Sequence, residues 1–99
     1  MFHTHQPYTS ALTCMKGKNR QLRMIHQNCL RYYQSIVYKD TFSGLVDNNT
    51  EGIEIANYIK KGGKRARAIM MANHGVTMIG SNCAEALEDL YYLERAAMV

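Results

Sequence analysis

Residues 67–72 constrain the fold more than any other stretch of this chain. Ala68, Ile69, Met70 and Met71 make a near-continuous apolar run of strand length. A strand with one wet face alternates apolar and polar residues, so an unbroken run predicts a strand covered on both faces. Asn73, His74 and Gly75 interrupt it, and residues 76–79 predict a second short strand closed by Gly80. Helical patterns alternate with such runs along the chain, which is the order of an α/β layered fold.

The remaining elements follow from local signals. Residues 2–5 read as the end of a strand. Pro7 suits the first turn of a helix, where its missing N–H costs nothing, and that helix is expected over residues 7–15. Gly17, Lys18 and Asn19 break it. A second helix is expected over residues 24–33, where Ile25, Asn28/Cys29 and Tyr32/Tyr33 recur at helical steps. Residues 36–38 are β-like, and residues 40–49 carry loop chemistry in Gly44, Asp47, Asn48 and Asn49. Asn48 with Glu51, and Asn82 with Glu85, each have capping-box spacing. The first would open a helix with Ile53, Ala56 and Ile59 on one face, ending at Gly62 and Gly63. The second would open a last helix with Cys83, Ala86/Leu87, Leu90 and Leu93/Glu94 at helical spacing.

Size and composition exclude several classes. The 99 residues allow one small domain or a piece of a larger one. Hydrophobic residues at 46% and charged residues at 20% are a globular balance, and no stretch approaches a membrane span. No secretory leader is visible at the N-terminus. Cys14, Cys29 and Cys83 are odd in number and contain no CxxC, which argues against a disulfide scaffold or a cysteine zinc knuckle. They read as reduced thiols of a cytosolic protein, buried on apolar helix faces. The net charge of +4 is uneven: residues 1–39 hold six basic groups and no acid. Such a half could attract an anion, or could face acids on another segment or subunit. No nucleic-acid motif accompanies it.

The sharpest chemical feature is His3-Thr4-His5. Side chains two apart on a strand share a face, so two imidazoles there can grip one metal ion. His74 is the best third ligand, because it sits at the abrupt end of the buried strand. Three histidines leave a fourth tetrahedral position open, the catalytic arrangement for zinc, with manganese, iron, cobalt and nickel also compatible. His26 has no partner one helical turn away and reads as structural or surface. Tyr91 and Tyr92 read as helix-packing aromatics, with a subunit interface as the alternative. Glu85 reads as a cap, and Glu88 and Glu94 as a solvated face or interface.

Four groups of residues together carry a family resemblance. They are His3, Thr4, His5, Gln6, Pro7, Tyr8, Ala11 and Leu12; then His26, Gln27, Asn28, Leu30, Arg31 and Tyr33; then Ala72, Asn73, His74, Gly75 and Val76; then Ala84, Glu85, Ala86 and Asp89 through Glu94. In order and spacing they resemble the class II aldolase/adducin family across essentially the whole chain. The resemblance implies a three-layer α/β/α domain around a mostly antiparallel sheet. It implies His3, His5 and His74 as ligands of a divalent metal, usually zinc. Catalytic members, such as fuculose-phosphate and ribulose-phosphate enzymes, are typically tetramers with active sites at subunit interfaces. They cleave or epimerise sugar phosphates through a metal-stabilised enediolate.

The family's catalytic glutamate and phosphate-binding loops precede the His-x-His pair. Residues 1–99 are therefore expected to form the second half of the domain, incomplete at the N-terminus, and the catalytic residues stay unassigned. The functional expectation is a fragment or short form of a metal-dependent aldehyde-lyase, cytosolic and homo-oligomeric, acting on a small hydroxy-carbonyl or sugar phosphate. The alternative is an adducin-like, non-catalytic module of the actin/spectrin cytoskeleton. A degenerate remnant that only oligomerises is a third reading.

Overall fold

The computed structural model describes residues 1–40 and 66–99, together with positions 53, 56, 57, 60 and 63. Four strands form one mixed sheet in the order β1 (Phe2–Thr4), β4 (Gly75–Met78), β3 (Ala68–Met71), β2 (Ile36–Lys39). β1–β4 and β4–β3 pair antiparallel, whereas β2–β3 pair in parallel. A parallel pair cannot be closed by a tight turn, and β2 and β3 are correspondingly far apart in sequence.

The apolar run of β3 lies at the centre of this sheet, and all four of its residues are buried. Period-2 alternation sorts its side chains between two faces. Ala68 and Met70 join Val76 and Met78 of β4 in the main core, where Phe2 of β1 and Ile36 and Tyr38 of β2 also pack. The helical layer over this core is α2 (Cys83–Met98), which contributes Ala86, Leu90, Leu93 and Ala96. Their spacing is that of a single helix stripe. Burying these side chains against the sheet stabilises the fold at roughly 25 cal/mol per Å² of apolar surface. Ile69 and Thr77 face each other on the opposite side of the sheet and are equally buried.

Helix α2 begins as its sequence predicts. Asn82 has extended backbone, and its side chain accepts from the Glu85 N–H at 2.8 Å. The reciprocal half of the box is displaced by one residue: Glu85 reaches Ser81, accepting from its hydroxyl at 2.5 Å and its N–H at 3.4 Å. These bonds hold the half-buried Glu85 carboxyl below its usual pKa.

Several expectations are corrected. The helix expected over residues 24–33 is a 3-10 segment, Gln27–Tyr32. Its buried residues, Cys29 and Tyr32, are three apart, the repeat of a 3-10 turn, while Ile25, Leu30 and Tyr33 lie exposed. His26 is its cap: Nδ1 accepts from the Asn28 N–H, which is a structural role, as expected. Residues 17–19, expected to break the first helix, lie in another 3-10 turn, Gly17–Arg20. Only Cys29 is buried among the cysteines. Cys14 is the C-cap of helix α1 (Pro7–Thr13) and falls off the Thr9/Thr13 stripe, and Cys83 starts α2 one turn before its stripe meets the sheet. Leu87 likewise lies off that stripe and is exposed. Positions 53, 56, 57 and 60 are helical as expected, but Ile53 and Ala56 are exposed. The capping pair Asn48/Glu51 and the loop at 41–49 lie outside the described residues. Among the described residues, no helix is long and apolar enough to cross a membrane.

Candidate metal centre

β1 positions the first two histidines. Phe2 turns towards the helical core, so His3 faces the other side, directly opposite Thr77 of β4. β1 ends at Thr4, and His5 follows in extended chain leading to α1 (Pro7–Thr13). That helix lacks a cap of its own. Gln6 stands at the N-cap position, but its side chain caps no N–H of the helix. Glu94 of α2 supplies what is missing: its carboxylate accepts from the Tyr8 N–H at 3.0 Å, the Thr9 N–H at 2.8 Å and the Thr9 hydroxyl at 2.7 Å. A carboxylate at a helix N-terminus satisfies orphan donors and meets the positive end of the helix dipole. Glu94 thus ties the start of α1, and with it the chain just after His5, to α2.

The third histidine sits in the β3–β4 hairpin loop, where each neighbour has a physical task. Asn73 adopts φ +54°, a left-handed conformation that asparagine tolerates better than most residues. Its N–H donates to the Thr13 carbonyl at 3.0 Å, docking the loop on the end of α1. The His74 N–H closes the turn on the Met71 carbonyl at 3.1 Å. Gly75 is required for space rather than for φ. A Cβ there would stand 2.3 Å from the Thr4 carbonyl oxygen and 2.8 Å from His5 Cδ2. The absence of a side chain lets β1 close against the loop and brings His5 up to His74.

The three rings converge. His3 Nε2 lies 3.1 Å from His5 Nε2 and 3.2 Å from His74 Nε2, and the ring centroids are 4.7–4.9 Å apart. All the potential ligand atoms fall within 4.8 Å of one another. His3 and His5 are exposed and His74 is half-buried, so the cluster opens to solvent. Zinc–nitrogen bonds of ~2.05 Å at a tetrahedral angle would separate two ligand nitrogens by about 3.3 Å. The two spacings from His3 Nε2 fit that donor set. At these distances either a cation or a proton held on one Nε2 bridges neighbouring rings, and both require that the Nε2 atoms face one another. Among the described residues no carboxylate joins the group.

The acids of α2 are engaged elsewhere. Asp89 is buried and accepts from Arg31 Nη2 at 2.9 Å, with Arg67 Nη1 at 3.6 Å. The Arg31 bond to Asp89 raises the pKa of the guanidinium, which also lies 4.6 Å from the centre of the Tyr92 ring. Tyr32 donates to the Asp89 carbonyl at 2.5 Å. Burial, reinforced by the Asp89 charge, raises the Tyr32 pKa against the opposing pull of Arg31 and Arg67. Glu88 approaches Arg31 at 3.8 Å. Tyr91 is exposed, and Tyr92 packs at the core edge.

The chain matches the family model described as Class II Aldolase and Adducin N-terminal domain over residues 1–99. It belongs to that family. The fold agrees. The structure is similar to that of an aldolase II superfamily protein from Pseudomonas syringae, with a TM-score of 0.76 at 22% identity, over 97% of this chain. This chain spans 36% of the length of that relative. At such identity the likeness is one of fold. No curated protein matches the chain.

His3, His5 and His74, singled out from the sequence, meet in one cluster of this aldolase-type fold. Two contributors to the site were missed. Sequence pattern places Glu94 on a solvated face or an interface, although α1 has no Ser, Thr, Asp or Asn at its N-cap and so needs an external acceptor. It places Thr77 only within a strand, although Thr77 is the one polar side chain of β4.

Proposed function

We propose that this chain is a divalent-metal-binding domain of the aldolase branch of its family, with His3, His5 and His74 as ligands and zinc as the best-matched ion. The approach of His3 Nε2 to the Nε2 atoms of His5 and His74 at 3.1 and 3.2 Å, with all three potential ligand atoms within 4.8 Å of one another on an open face, carries this reading. His3 and His5 hold the ion from the strand side and His74 from the loop. The exposed side of the cluster leaves room for a substrate oxygen. When bound, the ion supplies a Lewis acid that polarises a carbonyl and stabilises developing negative charge. The reaction class is retro-aldol cleavage of a small hydroxy-carbonyl or sugar-phosphate substrate, in a homo-oligomer. A reducing, cytosolic setting fits the three free cysteines, two of them exposed.

None of the α2 carboxylates serves as the general acid, because Glu85, Glu88, Asp89 and Glu94 contact Ser81, Arg31, Arg31 with Arg67, and α1 respectively. Titration of the metal-free protein with zinc against a chromogenic chelator tests the proposal. One equivalent should bind, His74→Ala should abolish binding, and His26→Ala should leave it intact. Binding that is absent, or unaffected by His74→Ala, would overturn the metal reading and leave the actin-linked module ahead, which co-sedimentation with actin filaments would then probe.

A further inference from the structure

We infer that Thr77 is the positioning residue of the histidine cluster: its hydroxyl accepts from His3 Nδ1–H and so aims the Nε2 lone pair of His3 at His5 and His74. This rests on the metal reading above and names the group that prepares its central ligand. His3 is the hub, since its Nε2 makes both short approaches. Its other ring nitrogen, Nδ1, lies 3.2 Å from Thr77 Oγ1. The contact follows from the ladder. His3 and Thr77 are paired across β1–β4, which puts their side chains side by side on one face.

Thr77 is well suited to hold a fixed direction. It is 1% exposed, lies in an inner strand paired to β1 on one side and to Ile69 of β3 on the other, and is β-branched, so its χ1 is restricted. His3, by contrast, is an exposed ring on an edge strand. Its tautomer and orientation therefore come from its neighbour. A proton on Nδ1 leaves Nε2 as a pure acceptor, the form a cation requires. A proton on Nε2 would point into the cluster. Metal-binding histidines generally gain orientation and basicity from such a partner, and losing it costs about 10–100-fold in affinity.

Thr77→Val keeps the branched shape and removes the hydroxyl; Thr77→Ser keeps the hydroxyl. Long-range ¹H–¹⁵N correlation spectra of the metal-free protein report the tautomer of each histidine. His3 should be the Nδ1–H form in the wild type and in Thr77→Ser, and a tautomeric mixture in Thr77→Val. Zinc affinity by chelator competition should fall about 10–100-fold in Thr77→Val and stay within about threefold in Thr77→Ser. A wild-type His3 in the Nε2–H form overturns the inference even if Thr77→Val fails to fold. So does a folded Thr77→Val with unchanged tautomer and affinity. A wild type that shows the Nδ1–H tautomer yet takes up no zinc supports the role of Thr77 in orienting His3 and sinks the metal reading instead.

Discussion

Replacing Gly75 by alanine tests whether close approach of β1 to the β3–β4 loop builds the histidine cluster. The added Cβ would lie 2.3 Å from the Thr4 carbonyl oxygen and 2.8 Å from His5 Cδ2. An ordinary carbon–oxygen approach is about 3.3 Å, so the end of β1 and the loop must separate by roughly 1 Å. The obstacle is backbone, so no rotamer change relieves it. Cδ2 is bonded to Nε2 in the His5 ring, so the displacement reaches the ligand atom itself. Metal sites tolerate errors of about 0.2 Å in ligand distance. A shift of ~1 Å should therefore remove most of the contribution of His5, and we expect zinc affinity to fall at least about 100-fold, equivalent to ~2.7 kcal/mol. Overpacking should also cost about 1–3 kcal/mol of stability, offset by the ~0.4–1 kcal/mol that alanine gains through a less flexible unfolded chain. Urea unfolding of the metal-free protein and chelator competition separate the two effects. Gly80→Ala is the control: its Cβ would lie 2.7 Å from the Ala86 backbone nitrogen and meets no histidine. It should lower stability while leaving zinc affinity alone. Wild-type affinity in a folded Gly75→Ala would refute the reasoning.

Glu94→Ala removes the carboxylate that caps α1, leaving the Tyr8 and Thr9 N–H groups and the Thr9 hydroxyl without their acceptor. We expect a loss of about 1–2 kcal/mol in chemical denaturation, with the Tyr8 N–H partly recovering through water. No change in the urea midpoint would show that the cap is dispensable. The raised pKa of Tyr32 makes a pH prediction: the stability it reflects is complete below the unfolded value of about 10 and is lost as pH climbs from there towards the folded value. Tyr38, raised by burial although its oxygen accepts from the Leu22 N–H, acts in the same sense. The urea midpoint should fall above pH ~10, and less steeply in Tyr32→Phe, which starts from a lower value because it has lost its bond to the Asp89 carbonyl. Equal alkaline slopes for the two proteins would contradict the assignment.

Much of the site is legible in local pattern. The period of two places His3 and His5 on one face of an extended segment without knowledge of the partner strand. The Asn73-His74-Gly75 sequence announces a sharp turn through residue types that tolerate left-handed backbone or close approach. Less legible was the segment 24–33. Its spacings suit an α-helix and a 3-10 turn alike, and only the burial of Cys29 and Tyr32 without Ile25 and Tyr33 decides between them. The cysteines went the same way, since helical spacing names a face but not where along the helix that face meets the sheet.

The sequence alone determined the buried central strand, the α/β layering, the cap at Asn82 and the three histidines, because each depends on residues a few positions apart. Tertiary structure alone decided what those histidines do for one another. Residues 3 and 5 meet residue 74 because β1 pairs with β4 and Gly75 admits their approach. Thr77 orients His3, and Glu94 fixes the chain beyond His5, through contacts that span more than seventy positions of sequence. Hydrogen-bond direction and close approach belong to such pairings, and no local pattern encodes them.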